Sequence, residues 1–370
     1  MCLNPQKLDL AARRGQGWSL DRGNKHLTLR RLVISMALDW KNLGFQYLDT
    51  HCHIKYTCKD GRWNAGELVD SPYLNIHIAA TALHYGQAAF EGLKAFRGSD
   101  GQVRIFRPDK NAERMRTTAR RTFMAEVPTE LFVSAIKKVV TANEEFIPPY
   151  GTGGSLYIRP LLIGSGPKIG VEPSAEYSFI VLVNPVGAYY KGGLNPVNAM
   201  VVDGYDRAAP NGVGHVKVAG NYAASLEPAS VAKQAGFPIN LYLDAKEHRF
   251  IDEFGTSNFI ALKDNTYITP VSDSILPSIT NMSLMQIAED FGMKVERRPI
   301  EIDELNSFEQ VAACGTAVVV TPVHKIVTAN KIYEVGDGTV TSQLQQLFDT
   351  VTGIQYGEIE DRHNWCELLD

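Results

Sequence analysis

Glycine and proline crowd into one short stretch of this chain, Gly187 to Pro196, around Tyr189-Tyr190-Lys191-Gly192-Gly193. Such a stretch marks the place where one hydrophobic core ends and another begins. With 370 residues there is enough chain for a core on each side. We therefore expect a smaller N-terminal domain over residues 36–186, a linker over 187–197 and a larger C-terminal domain over 198–370. Residues 1–35 carry Arg13, Arg14, Arg22, Lys25, Arg30 and Arg31 against few acids, and read as an N-terminal extension or a transit-like leader rather than as part of either core.

Composition narrows the function. A content of 44% hydrophobic and 21% charged residues is that of a globular protein, and a net charge of -4 gives no footprint for nucleic acid. No apolar run approaches the length of a membrane span. The five cysteines, Cys2, Cys52, Cys58, Cys314 and Cys366, are odd in number and scattered, which suits a reducing interior and a cytoplasmic location. The His51–Cys58 run, HCHIKYTC, matches no metal-ligand spacing and is read as structural, so no metal site is expected.

The first half is rich in strand signals. Asp60-Gly61 and Asp100-Gly101 each separate two β-rich runs and predict hairpins. Between them, Ala82–Gly92 (ALHYGQAAFEG) spaces Tyr85 and Phe90 among small residues, as core packing or a pocket wall would. Pro108–Pro128 and Glu130–Phe146 predict helices. The first carries Arg114, Arg116, Arg120 and Arg121, any one of which has the fork to grip a phosphate. Ser155–Gly164 and Glu176–Tyr190 read as strands. On the former, Tyr157 and Arg159 fall on one face, where the arginine is either paired structurally or awaits a carboxylate.

The second half carries the residues with chemistry. In Gly212–Tyr222, GVGHVKVAGNY, the spacing predicts a short strand that points Lys217 away from Val216 and Val218. A lysine is ordinarily a solvated charge. In a poorly hydrated pocket it would instead shed its proton and attack a carbonyl. Ala223–Ala235 predicts a helix in which Pro228 could place a kink. Asp252 and Glu253, in HRFIDEFGTSNFIAL, are either solvated turn residues or a buried acid able to keep a pyridine nitrogen protonated. Leu276–Gly292 predicts a helix whose start is an anion site or merely a capped end. Glu309–Ile326 reads as strand, turn, strand, and Gly315-Thr316-Ala317 at the bend has amides and a hydroxyl suited to an anion.

Taken together, HYGQAAFEG, YIRP, AGNY, IDEFGTSN and CGTAVVVTPVH resemble, in content and in order, the branched-chain amino acid aminotransferases. These are fold type IV pyridoxal phosphate enzymes, and the resemblance runs from about Met36 to the C-terminus. It implies an α+β, D-amino acid aminotransferase-like fold with a smaller N-terminal α/β domain and a C-terminal domain built on a barrel-like sheet. It implies pyridoxal 5'-phosphate as cofactor, attached to Lys217, which also shuttles the proton. Tyr222 would meet the phenolic oxygen, Glu253 the ring nitrogen, and Arg114, Ile279, Thr280 and Thr316 the phosphate. Substrate would lie against Tyr85, Phe90, Tyr157, Arg159, Ile169, Val171, Tyr189, Thr256, Thr316 and Ala317, with Arg159 serving the second carboxylate of glutamate.

The substrates implied are leucine, isoleucine and valine with their 2-oxo acids and 2-oxoglutarate. The assembly implied is a homodimer in which Tyr85 and residues 169–171 come from the partner. Two departures stand out: Val318 and Thr321 occupy the places of a cysteine pair found in some relatives, and Ser278 stands where glycine is usual. A D-amino acid aminotransferase, an aminodeoxychorismate lyase or a non-catalytic cofactor-binding paralogue shares the lysine and glutamate.

Overall fold

The computed structural model describes residues 38–188 and 193–369. The N-terminal extension and Tyr189 therefore lie outside the described residues.

The first half builds a largely antiparallel sheet from β1 (His53–Lys59), β2 (Arg62–Trp63), β3 (Glu67–Val69), β4 (Ala88–Phe90), β5 (Leu93–Arg97), β6 (Val103–Phe106), β7 (Ser155–Gly164) and β8 (Glu176–Val186). The Asp60-Gly61 turn forms as expected, with φ of 51° and 72° at its two residues and Lys59 paired with Arg62. Positive φ at both central positions is what a two-residue hairpin of this twist requires. β7 and β8 pair from Ser155–Val186 to Gly164–Tyr177, forming the spine of the sheet.

One helix, α1 (Thr81–Tyr85), leads into β4, and two more, α2 (Pro108–Arg121) and α3 (Thr129–Ala142), belong to the same half. α3 buries Phe132, Ala135, Ile136, Val139 and Val140, a helical stripe, and Phe132 stacks on Phe179 of β8 at 5.7 Å. α2 buries Ala112, Met115, Thr118 and Ala119 on one face. It ends at Arg121, short of the expected Pro128, because the chain turns out of the helix at Phe123 with φ of 52°.

The second half supplies β9 (Val197–Val201), β10 (Ile239–Leu243), β11 (Ile251–Phe254), β12 (Ser257–Lys263), β13 (Thr266–Thr269), β14 (Lys294–Arg297), β15 (Gln310–Gly315), β16 (Val319–Val327) and β17 (Ile332–Glu334). The order β11-β10-β9-β16-β15-β12 closes on itself through β11–β12 pairing, giving a six-stranded barrel. Leu241, Phe254, Phe259, Val311, Val323 and Ile326 belong to one buried apolar cluster of these strands. A second cluster joins Phe96 and Phe106 of the first sheet to Ile260, Tyr267, Leu284 and Val351.

Four further helices are α4 (Ala219–Ala224), α5 (Leu226–Gln234), α6 (Ile279–Asp290) and α7 (Ser342–Tyr356). Finally β18 (Cys366–Leu368) pairs antiparallel with β6, returning the chain to the first sheet.

Three expectations are corrected. The helix expected over Ala223–Ala235 is two helices that part at Ser225, whose hydroxyl turns back to the Asn221 carbonyl at 3.0 Å. Pro228 lies in the first turn of α5, where its missing N–H removes no helix bond, so it makes no kink. Lys217 is not in a strand. The Val216 N–H is spent on a turn to Val213 at 3.2 Å, and the only ladder element here is the single bridge from Val218 to Ala89. Alternation over three residues was too short to hold a strand, though Val216 and Val218 are buried as that pattern requires.

Candidate active site

Lys217 sits in the loop immediately before α4, fastened from both sides. Its backbone N–H donates to Thr118 Oγ1 of α2 at 3.0 Å, and its carbonyl accepts from Phe90 N at 3.2 Å. The Nζ donates to the Tyr222 hydroxyl at 2.6 Å and lies 4.7 Å from the centre of the Phe90 ring. Burial, helped by the Arg114 charge, lowers the amine to about 7, while Glu91 and Glu253 pull the other way. Tyr222, one turn along α4, is pushed up to about 12, chiefly by burial. It therefore stays a phenol at neutral pH.

Arg114, Arg207, Lys217, Tyr222, Glu253, Gly255, Thr256, Asn258, Ser278 and Thr316 line one narrow cleft. Glu253 reaches it from β11. Its Oε1 takes Arg207 Nε at 2.6 Å and the Leu276 N–H at 3.1 Å, and its Oε2 takes Asn258 Nδ2 at 3.0 Å. Burial still outweighs the arginine and raises the carboxyl to about 7. A carboxylate has about four acceptor positions. Three are used, which leaves one for a donor within the cleft. Its neighbour Asp252 is buried too, and burial raises it to about 6.

Arg114, on α2, is held by Glu91, which is wholly buried. Its Nε donates to Glu91 Oε1 at 2.8 Å and its Nη2 to Oε2 at 2.7 Å, a two-pronged fork, while Nη1 donates to the Pro277 carbonyl at 2.8 Å. Pro277 directly precedes the cap of α6. There Ser278 Oγ accepts from Asn281 N at 3.2 Å and the Ser278 carbonyl accepts from Met282 N at 3.0 Å. The amides that open a helix lack partners within it. Of those from Ile279 to Met282, Ser278 satisfies the last two, so those of Ile279 and Thr280 remain, close to the Arg114 guanidinium. Serine in place of glycine thus supplies a side-chain cap.

Thr316 lines the cleft and its hydroxyl donates to Gly92 O at 3.3 Å. Ile279, Thr280 and Thr316 also share a smaller adjoining cavity. Ala317 faces a different cavity, together with Lys94. Arg159 is stacked 4.9 Å from Phe90 and 5.2 Å from Tyr157, with Nη2 donating to the Tyr157 hydroxyl at 2.9 Å. Its buried Nε has no partner in the structure. Tyr85, Ile169 and Val171 do not line the cleft: Val171 is 85% exposed and the Tyr85 hydroxyl donates to the Ile169 carbonyl.

The donor set suits a phosphorylated pyridine aldehyde. There is a buried amine of lowered basicity, an acceptor position on a buried acid, and a guanidinium beside two partnerless helix amides. Arg207, Glu91, Asn258 and Lys94 were not singled out by sequence. Glu91 and Lys94 did carry a signal, as charges inside the apolar run AAFEGLKAF. Arg207, in a polar loop, carried none.

The chain matches the profile of the amino-transferase class IV family over residues 88–326. It is 50% identical to the branched-chain-amino-acid aminotransferase of Haemophilus influenzae, an alignment covering 90% of this chain and 99% of that protein. It is 46% identical to the enzyme of the same name from Helicobacter pylori, covering 89% and 97%. Among solved structures, the Escherichia coli branched-chain amino acid aminotransferase superposes with a TM-score of 0.73 at 27% identity, covering 82% of this chain and 97% of that one. The branched-chain amino acid aminotransferase from Thermobaculum terrenum, solved in its PLP-form, gives 0.72 at 21% identity, covering 87% and 99%, which is a likeness of fold.

Proposed function

This chain belongs to the class IV aminotransferases, among the branched-chain-amino-acid aminotransferases, and from that premise we propose how its own residues carry the reaction. The activity is reversible transfer of an amino group between leucine, isoleucine or valine and 2-oxoglutarate, both halves passing through the Lys217 cleft. When bound, pyridoxal phosphate supplies an aldehyde for amines and a ring that draws electrons from the substrate.

Lys217, lowered to about 7, is about half uncharged at neutral pH and can take the proton from the substrate Cα and return it. Tyr222 orients that amine through the contact at 2.6 Å. Glu253 holds the ring nitrogen, with Arg207 and Asn258 fixing its plane. Arg114, with the Ile279 and Thr280 amides and the Thr316 hydroxyl, holds the phosphate. Phe90, against Lys217 and Tyr222, supplies apolar wall for the branched side chain, and Thr256 lines the cleft. The unpartnered Nε of Arg159, steadied by Tyr157, is read as the receptor for the second carboxylate of glutamate. The Thr316–Ala317 turn is read as the place for the carboxylate common to all substrates.

We read the chain as two domains, 36–186 and 198–370, joined by 187–197. We read the assembly as a cytoplasmic homodimer in which Tyr85, Ile169 and Val171 come from the partner to complete the pocket, and Tyr189 as a further lining residue. Tyr73 and Ile78 stand exposed on the segment next to residues 167–171, to which it is tied by the Lys168 N–H donating to Ala79 O at 2.8 Å. Such an apolar surface suits a partner subunit. Among the described residues no helix is long and apolar enough to cross a membrane.

The observation that carries the reading is the buried amine of Lys217 against Tyr222. Borohydride reduction of the holoenzyme followed by peptide mapping tests it. A pyridoxyl label is expected on Lys217, and a label on any other lysine refutes the assignment.

A further inference from the structure

Among the described residues, the half-buried cation Lys94 has no task in the reaction. Lys94 lies near the start of β5, and burial alone lowers its amine to about 8. Among the described residues no carboxylate pairs with it. Its Nζ donates instead to the backbone carbonyl of Ala317 at 2.7 Å, across 223 positions of sequence. Withdrawing an ammonium from water without a counter-ion is costly, and a hydrocarbon of similar length would fill the space at lower cost. The use of the charge therefore lies in what it grips.

Ala317 belongs to the turn that joins β15 to β16. The Val318 N–H donates to the Gly315 carbonyl at 3.3 Å, closing the turn from within. The amides of the two central residues, 316 and 317, take no part in that closure and are free to serve an anion. The peptide group bearing the Ala317 carbonyl also bears the Val318 N–H. Lys94 thus holds one edge of that plane while Gly315 holds the other. Thr316 is tied to the same strap, its hydroxyl donating to Gly92 two residues before Lys94. The first sheet in this way sets the pose of a turn that belongs to the barrel.

We infer that Lys94 is a positioning residue for recognition of the substrate carboxylate: by holding the Ala317 carbonyl it fixes the direction in which the turn amides point. The inference rests on reading Thr316–Ala317 as the carboxylate turn. In this role Lys94 acts through the turn and not on the substrate itself.

Steady-state kinetics of the holoenzyme with L-leucine and with 3-methylbutylamine, the same skeleton without its carboxylate, test it. For Lys94→Met, KM for leucine is expected to rise about tenfold with kcat nearly unchanged. The amine is expected to react as with the wild type, so the preference for leucine narrows by the same factor. Lys94→Arg, which keeps a charged donor, restores most of the loss, and cofactor absorbance and Tm do not fall in either variant. Should Lys94→Met yield no soluble holoenzyme, Lys94→Gln, whose amide is one bond too short to reach Ala317, is read in the same way.

An unchanged KM for leucine, or an equal loss on both substrates, overturns the role of Lys94 while leaving the carboxylate turn in place. A wild-type enzyme that processes the amine as well as leucine removes the turn reading itself, and Lys94's role with it.

Discussion

Glu253 is gripped by Arg207, Leu276 and Asn258, and each grip has a measurable consequence. Glu253→Gln keeps the shape but cannot hold a proton on a ring nitrogen. It is expected to lower kcat by roughly a hundredfold or more while the cofactor stays bound, as kinetics beside absorbance will show. Arg207→Leu leaves a buried carboxylate without its counter-charge and is expected to cost the apoprotein roughly 3 kcal/mol in denaturant titration.

The amine of Lys217 sits at about 7, so it is protonated and unreactive below that pH and free above it. The rate at which apoprotein takes up pyridoxal phosphate is therefore expected to climb through pH 7 and then level off. A flat profile from pH 6 to 8 contradicts the lowered value. At this scale the sequence was informative where a motif carried the residue, as for Lys217, Tyr222, Glu253 and Arg114. It was silent on Arg207 because a counter-charge 46 positions away leaves no local pattern.

Elements position these side chains, and the link from β4 to β5 does so most tightly. A Cβ built on Gly92 would fall 2.3 Å from the Tyr157 hydroxyl, the group that accepts from Arg159. Gly92→Ala is expected to push Tyr157 aside and raise KM for 2-oxoglutarate about tenfold, with a smaller effect on monocarboxylic oxo acids. At the start of α6, Ser278→Ala removes the bond to Asn281 and is expected to cost about 1 kcal/mol, visible as a lower Tm.

Strands were legible wherever alternation ran long enough: Ser155–Gly164 was read residue for residue as β7. It misled over Lys217, where the valines are buried by a loop. Gly214 lets the Ser274 carbonyl come close there, a tertiary demand that a three-residue pattern could not reveal. Pro228 misled for a related reason, since whether a proline kinks a helix depends on where that helix begins.

At the scale of the whole molecule, the exposed run around Ile78, Ile169 and Val171 is the surface that the proposed homodimer would cover. Ile169→Asp combined with Val171→Asp is expected to yield monomers in sedimentation and to lose most of its turnover. A fully active monomer would contradict the shared pocket. The barrel came from the family resemblance and not from the strand pattern, because local alternation says where strands lie and not which edges meet.

The pairing of β18 with β6 was equally hidden, and it sets the order in which the protein can mature. Its partner strand is translated about 260 positions earlier, and until Cys366–Leu368 emerges from the ribosome that edge of the sheet stays open, with no Trp365 ring against Phe106 and Arg107. The first half of the chain is thus made early but sealed late, and a nascent chain stalled before Trp365 should remain a substrate for proteases and chaperones long after its own strands have formed.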